Sequence, residues 1–317
     1  MTIDRKIINI GTRESALAMQ QTNYVADALQ KAHPENSFQI KSMKTKGDKI
    51  LDAPLAKIGD KGLFTKELET ALLAGQIDLA VHSMKDLPTK LPDGLAIGAV
   101  CKRIYPGDVL ISQNNISLAD LRPGARIGTG SLRRCAQLLR YRPDLTPINI
   151  RGNLPTRLGK LKELELDAIV LAYAGIKRLG YEELITQYIP FEICLPAVGQ
   201  GSVGIEYATC NTDILTMLAP LNDKPAHIAI EAERALLQNL EGGCQTPIGA
   251  HGVLQDDVLT LTGEVLSMHG ETSLRAVLTG PADKPEMLGA ELANELLNKG
   301  AGELLQLTRQ EFEHLEK

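Results

Sequence analysis

Val81-His82-Ser83-Met84-Lys85-Asp86-Leu87-Pro88 gathers a histidine, a hydroxyl, an ammonium and a carboxylate directly after a short apolar run. The carboxyl ends of strands in open α/β sheets are where ligands bind, so a polar cluster there is placed for binding or acid–base work. A lone Lys85-Asp86 pair before a proline is also ordinary turn composition, and its neighbours must decide. A second group is cationic: Arg13 in GTRES, Arg133 and Arg134 in GTGSLRR, Arg151 and Arg157 in RGNLPTR, and Arg178 in GIKRLG. Gly128-Thr129-Gly130-Ser131 precedes a helical run, where free N–H groups and the helix dipole attract anions, and arginine adds paired hydrogen bonds to carboxylates. The GxxxxGK[ST] spacing of a P-loop is absent. Successive helical side chains lie about 100° apart, so Arg133 and Arg134 are expected to reach different groups rather than clamp one.

Cys244 stands in Glu241-Gly242-Gly243-Cys244-Gln245-Thr246-Pro247, at the end of a helical run from Ala226. Two glycines let the chain turn sharply and leave room around a thiol that carries something bulky. No histidine lies near it in sequence. Such a thiol suits attack on a strong electrophile better than on an unactivated carbonyl. A cysteine after a helix is also commonly a small buried hydrophobe, and that reading stays open here. The stretch Asp52 to Gly62, with Lys57 and Lys61, reads equally as a mobile lid over an anion or as an exposed connection.

To about residue 220, β-like and helical runs alternate, which predicts α/β layers around a largely parallel sheet. Strands are expected at Ile7 to Gly11, Phe38 to Thr45, Ile77 to His82, Leu95 to Val100, Val109 to Ser112, Arg126 to Gly128, Pro147 to Ile150 and Ala168 to Ala172. Helices are expected at Ser15 to Lys31 and Leu63 to Ala74. From Pro225 the pattern changes to a helix ending near Leu240, alternating runs at Val258 to Val265 and Ser273 to Leu278, and closing helices. This predicts a separate α+β domain with a small antiparallel sheet.

The chain has 317 residues, 44% hydrophobic and 23% charged, enough for two or three cores. Five widely spaced cysteines without a CxxC argue against a disulfide framework and a zinc knuckle, and no metal is expected. A net charge of −5, 3% aromatic residues and no tryptophan oppose a nucleic-acid role. The absence of a leader-like N-terminus and of an apolar run near the ~20 residues of a membrane span leads to the expectation of a cytoplasmic protein with no membrane partner.

Taken in order, the motifs IGTRES, KGLFTKELE, DLAVHSMKDLP, GTGSLRR, RGNLPTRL, DAIVLAYAGIKRLG, LPAVGQGSVGIE and LEGGCQTPIG resemble the porphobilinogen deaminase (hydroxymethylbilane synthase) family. They cover most of the chain to about residue 252. The resemblance implies two α/β domains like type II periplasmic binding proteins, with a hinged cleft, and a smaller C-terminal α+β domain. Domain 1 would span 1–101 and 202–219, domain 2 102–201 and domain 3 224–317.

The resemblance also makes Cys244 the thioether attachment point of a dipyrromethane cofactor, and Asp86 the catalytic carboxylate. Ser83, Lys85, Asp86, Thr129, Ser131, Arg133, Arg134, Arg151 and Gly152 would bind the cofactor. Arg13, Ser15, Gln21, Arg151, Arg157 and Arg178 would bind substrate, with Lys57 and Lys61 on the lid. The implied reaction is a transferase reaction. Four porphobilinogen molecules condense head to tail with loss of ammonia, and the linear tetrapyrrole is then hydrolysed off and passed to uroporphyrinogen-III synthase. A carboxylate near the pyrrole nitrogen stabilises the azafulvene cation that forms as ammonia leaves. The family is typically monomeric.

Three positions depart from the family pattern. Gly107 stands where many relatives carry a second arginine, Gly130 where serine is common, and Tyr173 in place of a small residue, which would narrow the cleft. A two-lobed carboxylate-binding module would explain the arginines but not GGCQ. A cysteine-dependent hydrolase or transferase would need a base that the sequence does not place near Cys244.

Overall fold

The computed structural model describes residues 6–49, 62–240 and 246–314. In chain order its elements begin with β1 (Ile7–Arg13), α1 (Ala16–Ala32), β2 (Ser37–Met43), α2 (Lys46–Lys49), α3 (Lys66–Leu73), β3 (Leu79–Ser83) and β4 (Leu95–Val100). Next come β5 (Asp108–Ser112), β6 (Arg126–Gly128), α4 (Leu132–Tyr141), β7 (Thr146–Ile148), α5 (Leu154–Glu163), β8 (Ala168–Ala172), α6 (Tyr173–Arg178) and β9 (Gln187–Tyr188). The remainder is β10 (Val203–Ala208), α7 (Thr212–Leu218), α8 (Lys224–Asn239), β11 (Ile248–Gln255), β12 (Val258–Leu266), β13 (Ser273–Pro281), α9 (Pro285–Asn298) and α10 (Ala301–His314). The expected elements are present with ends shifted by a few residues, the range within which propensity and fraying compete. β9, β10 and β11 are not among the expected strands.

The described residues fall into two compact units. One holds 6–49, 62–104 and 201–227; the other holds 105–200, 228–240 and 246–314. In the first, the sheet runs β2-β1-β3-β10-β4, with β10 antiparallel to both its neighbours. α1 follows the helical period: Ala18, Gln21, Thr22, Val25 and Leu29 are its buried face, and Ser15 Oγ caps it by accepting from the Ala18 N–H at 3.3 Å. Its core joins Val25 and Leu29 to Ile8, Ile10, Leu79, Val81 and Ile205.

In the second unit the first sheet runs β7-β6-β8-β5-β9, with β5 antiparallel to β8 and β9. Each sheet therefore repeats one order, in which the strand that follows a passage between units runs antiparallel between the third and fourth strands. This is the type II periplasmic-binding-protein-like arrangement that the resemblance implies. It also puts the first residue of the antiparallel strand at the carboxyl ends of its neighbours: Val203 pairs with Ser83, and Asp108 with Ala172. β8 is buried at all five positions, as a central strand must be.

The second unit also contains the antiparallel sheet β11-β12-β13, whose apolar side chains pack with α8, α9 and α10 around Leu236, Leu259, Leu261, Leu292 and Leu296. Asp256 and Asp257, at φ 48° and 62°, form the two-residue turn between β11 and β12. Glu264 of β12 is fully buried and accepts from Arg140 Nη1 of α4 and Ser273 Oγ, both at 2.6 Å.

Candidate active site

In the first unit, β1 ends at Arg13 and β3 at Ser83, and a 3-10 turn, Met84–Asp86, follows immediately. The Met84 N–H donates to the Ser202 carbonyl at 3.1 Å, so the turn is pinned to the chain entering β10. Buried Met84 and Leu87 anchor it from below, while Lys85 and Asp86 are half-buried. Arg13, Ser15, Gln21, Ser83 and Asp86 line one cavity together with Phe64 and His82. Gln21 Nε2 donates to Ser83 Oγ at 2.9 Å. Arg13 Nη1 lies 3.7 Å from Asp86 Oδ2, and its guanidinium carbon sits 4.2 Å from the centre of the Phe64 ring. Lys85 shares the turn with Asp86.

Behind this cavity His82 Nε2 meets Glu206 Oε2 at 3.0 Å, both side chains being buried. Burial raises the pKa of neighbouring Glu69, with Glu206 adding to the effect. Neither glutamate was singled out in the sequence. They sit on α3 and β10, and only the register of the sheet brings Glu206 to His82.

In the second unit, β6 runs into Thr129-Gly130-Ser131 and then α4. The Thr129 N–H donates to the Ile148 carbonyl at 2.9 Å, and the Ser131 N–H to Thr129 Oγ1 at 3.3 Å. A Cβ on Gly130 would fall 2.7 Å from the Ile150 carbonyl oxygen, which accounts for glycine where serine is common. Arg151 and Gly152 follow β7, and Arg157 Nε donates to the Gly152 carbonyl at 2.8 Å. Gly152 has φ 110°, so its conformation favours glycine. Arg151 Nη1 is buried without a hydrogen-bond partner among the described residues, and burial lowers its pKa. Arg178 is half-buried at the end of α6.

Arg133 and Arg134 behave differently from the sequence expectation. Both are buried and both grip one carboxylate: Arg133 Nη2 donates to Asp108 Oδ2 and Arg134 Nη2 to Asp108 Oδ1, each at 2.8 Å. The 100° separation between neighbours was outweighed by the length of arginine and by a carboxylate set beside the helix start, which the two side chains approach from either side. Burial alone would push the Asp108 pKa up, but the two guanidinium groups and the hydrogen bonds from Arg134 and Gln200 hold it well below the usual carboxylate range. Asp108 and Gln200 were the residues sequence reasoning missed here. Gln200 lay inside the quoted motif LPAVGQGSVGIE, and Asp108 followed the departure at Gly107.

Two of the three departures belong to one aromatic cluster. Tyr105 packs edge-on against Tyr173, with centroids 5.6 Å apart, and stacks on Phe191 at 5.6 Å. A Cβ on Gly107 would fall 2.4 Å from the Tyr105 ring, so glycine at 107 and tyrosine at 173 accommodate the same side chain.

Cys244, Lys57 and Lys61 lie outside the described residues. Among the described residues no group of three or more His, Cys, Asp or Glu side chains is placed to hold a metal ion, and no helix is long and apolar enough to cross a membrane.

Comparison with known proteins covers most of the chain. The family model "Porphobilinogen deaminase, dipyromethane cofactor binding domain" matches residues 8–216, and "Porphobilinogen deaminase, C-terminal domain" matches residues 227–298. Porphobilinogen deaminase of Carboxydothermus hydrogenoformans is 56% identical over 97% of this chain and 99% of its own. That of Pelotomaculum thermopropionicum is 53% identical over 97% and 98%. Among solved structures, the probable amino-acid ABC transporter extracellular-binding protein ytmK of Bacillus subtilis covers 69% of this chain and 91% of its own, at 13% identity and a TM-score of 0.44. With two family models together spanning most of its length and relatives more than half identical, the chain belongs to the porphobilinogen deaminase family.

Proposed function

We propose that the chain is a hydroxymethylbilane synthase: it condenses four porphobilinogen molecules head to tail, releases ammonia at each step, and hydrolyses the finished tetrapyrrole from its primer. The observation that carries this reading is the Asp86 carboxylate at the carboxyl end of β3, facing a cavity beside Arg13 and Ser83.

Asp86 is the catalytic carboxylate in this reading. As ammonia leaves porphobilinogen, positive charge grows on the pyrrole, and a carboxylate already held in place stabilises it with little reorganisation. The turn that carries Asp86 is fixed by Met84, Leu87 and the bond to Ser202, which supplies that preorganisation. Arg13 lines the same cavity 3.7 Å from Asp86, and in this reading it contacts a substrate carboxylate, with Ser15, Gln21, Arg157 and Arg178 as further substrate contacts.

The dipyrromethane primer is attached by a thioether to Cys244. When bound it supplies the free pyrrole carbon to which each new unit is joined. Its acidic arms need cations, and the residues present fit them. Arg133 and Arg134 carry two positive charges against Asp108, and Arg151 Nη1 is a buried donor without an acceptor among the described residues. Lys85, Ser83, Thr129, Ser131 and Gly152 complete that set. The domain boundaries are 1–101 with 202–219, 102–201 and 224–317, which gives each of the three sheets its own domain. The protein is a cytoplasmic monomer that passes its product to uroporphyrinogen-III synthase.

The test is the intact mass of the purified chain, followed by incubation with porphobilinogen. Expected are a mass above that of the polypeptide by two pyrrole units and consumption of porphobilinogen with release of ammonia. A chain with only its amino-acid mass, before and after incubation, overturns the reading.

A further inference from the structure

Asp108 is fully buried and takes four donors: Arg133 Nη2, Arg134 Nη2 and Gln200 Nε2 at 2.8 Å each, and Cys194 Sγ at 3.4 Å. Gln200 Nε2 also donates to the Pro106 carbonyl at 2.6 Å. Gln200 thus links the Asp108 carboxylate to the Pro106 carbonyl within the second unit. The remaining bonds of the arginines are those of Arg133 Nη1 to the Leu195 carbonyl and to Cys194 Sγ at 3.4 Å, and of Arg134 Nη1 to the Val170 carbonyl at 3.1 Å. The Nε–H groups of both arginines are buried and find no acceptor among the described residues. Cys194 adds no countercharge, because burial, with Asp108 beside it, pushes its thiol up to about 12. Two cations, one anion and two unanswered donors leave the cluster one negative charge short.

We propose that Asp108 is a positioning residue: it locks Arg133 and Arg134 at the start of α4 and cancels one of their two charges, so the pair takes one carboxylate arm of a pyrrole ligand rather than two. The proposal rests on the reading above, in which these arginines hold the primer. The topology explains why Asp108 can do this. β5 runs antiparallel to β8, so its first residue stands at the carboxyl end of the sheet, where α4 begins. An aspartate is short enough to stay rigid there, and the two guanidinium groups converge on it from one helix.

The experiment compares Asp108→Ala and Asp108→Asn with the wild-type holoenzyme. The readouts are the fraction of chains bearing the primer by intact mass, the melting temperature, and porphobilinogen consumption in rising sodium formate against sodium chloride of equal ionic strength. The expected result is a folded Asp108→Ala whose primer-bearing fraction falls about tenfold, the scale of losing charge-assisted hydrogen bonds. Formate restores it, because a free carboxylate fills the vacated place. Asp108→Asn, whose amide occupies that place, loses the primer as much and does not respond to formate. A primer-bearing fraction within about twofold of wild type in Asp108→Asn overturns the proposal, that span being below the weakest such bond. So does a loss in Asp108→Ala that formate leaves untouched. Asp108→Asn, which keeps the side-chain volume, carries the test where Asp108→Ala does not fold. A wild-type chain without primer refutes the underlying function instead, so the two failures are distinguishable.

Discussion

Arg13 Nη1 stands 3.7 Å from Asp86 Oδ2 while its guanidinium rests over the Phe64 ring, so the carboxylate has a cation beside it but no tight bidentate clamp. Such a carboxylate keeps oxygen lone pairs for a ligand. Replacing it by an amide removes the charge and keeps the shape. Asp86→Asn is therefore expected to fold, to retain primer on Cys244, and to turn over about 10²- to 10⁴-fold more slowly. Steady-state porphobilinogen consumption is the check; near-normal rates would remove Asp86 from its role.

Cys244→Ser is expected to yield a folded chain with no covalent adduct, since an alcohol is a far weaker nucleophile than a thiol towards the same electrophile. Mass spectrometry of the intact variant decides it, and an adduct at the wild-type level would assign the attachment to another side chain.

Arg140 and Glu264 join α4 to the C-terminal sheet at 2.6 Å, with Glu264 buried and Arg140 about a quarter exposed. Arg140→Ala leaves the glutamate with Ser273 as its remaining side-chain partner, and the expected cost is about 3 kcal/mol. Urea unfolding gives this directly. A change below about 0.5 kcal/mol, the range of ordinary surface substitutions, would mean that the pair is dispensable.

Acid should act through Asp108. Its pKa in the folded chain lies below the ordinary value of 3.8, so it binds fewer protons when folded than when unfolded at low pH. Its contribution is therefore fully present above the ordinary value and is lost as pH falls towards the folded one. Unfolding free energies of wild type and Asp108→Asn should differ by a constant amount from pH 7 to about pH 5 and converge below about pH 4. A gap that stays constant down to about pH 3 would contradict the linkage.

Much of the fold was legible because it depends on local pattern. The helical period of α1 and the apolar runs of β4, β6 and β8 were readable residue by residue, and their observed bounds differ little or not at all. β10 escaped because Val203-Gly204-Ile205-Glu206 is short, holds a glycine and buries a glutamate, a composition that local propensity does not assign to a central strand. Its place between β3 and β4 depends on a chain that leaves the unit after Ile104 and returns at Gly201.

The same division holds at the site. From the one-dimensional order of residues came the ligand-binding end of each sheet, the candidate acid, the candidate thiol and a surplus of arginines in an otherwise acidic chain, because each is a matter of residue type beside a recognisable strand, turn or helix start. The tertiary structure alone decided which charges meet. Asp108 is 25 residues from Arg133 and 92 from Gln200, and His82 is 124 from Glu206. Pairing across such spans is set by strand order and register, which follow from burying the apolar faces of three sheets and not from any local preference.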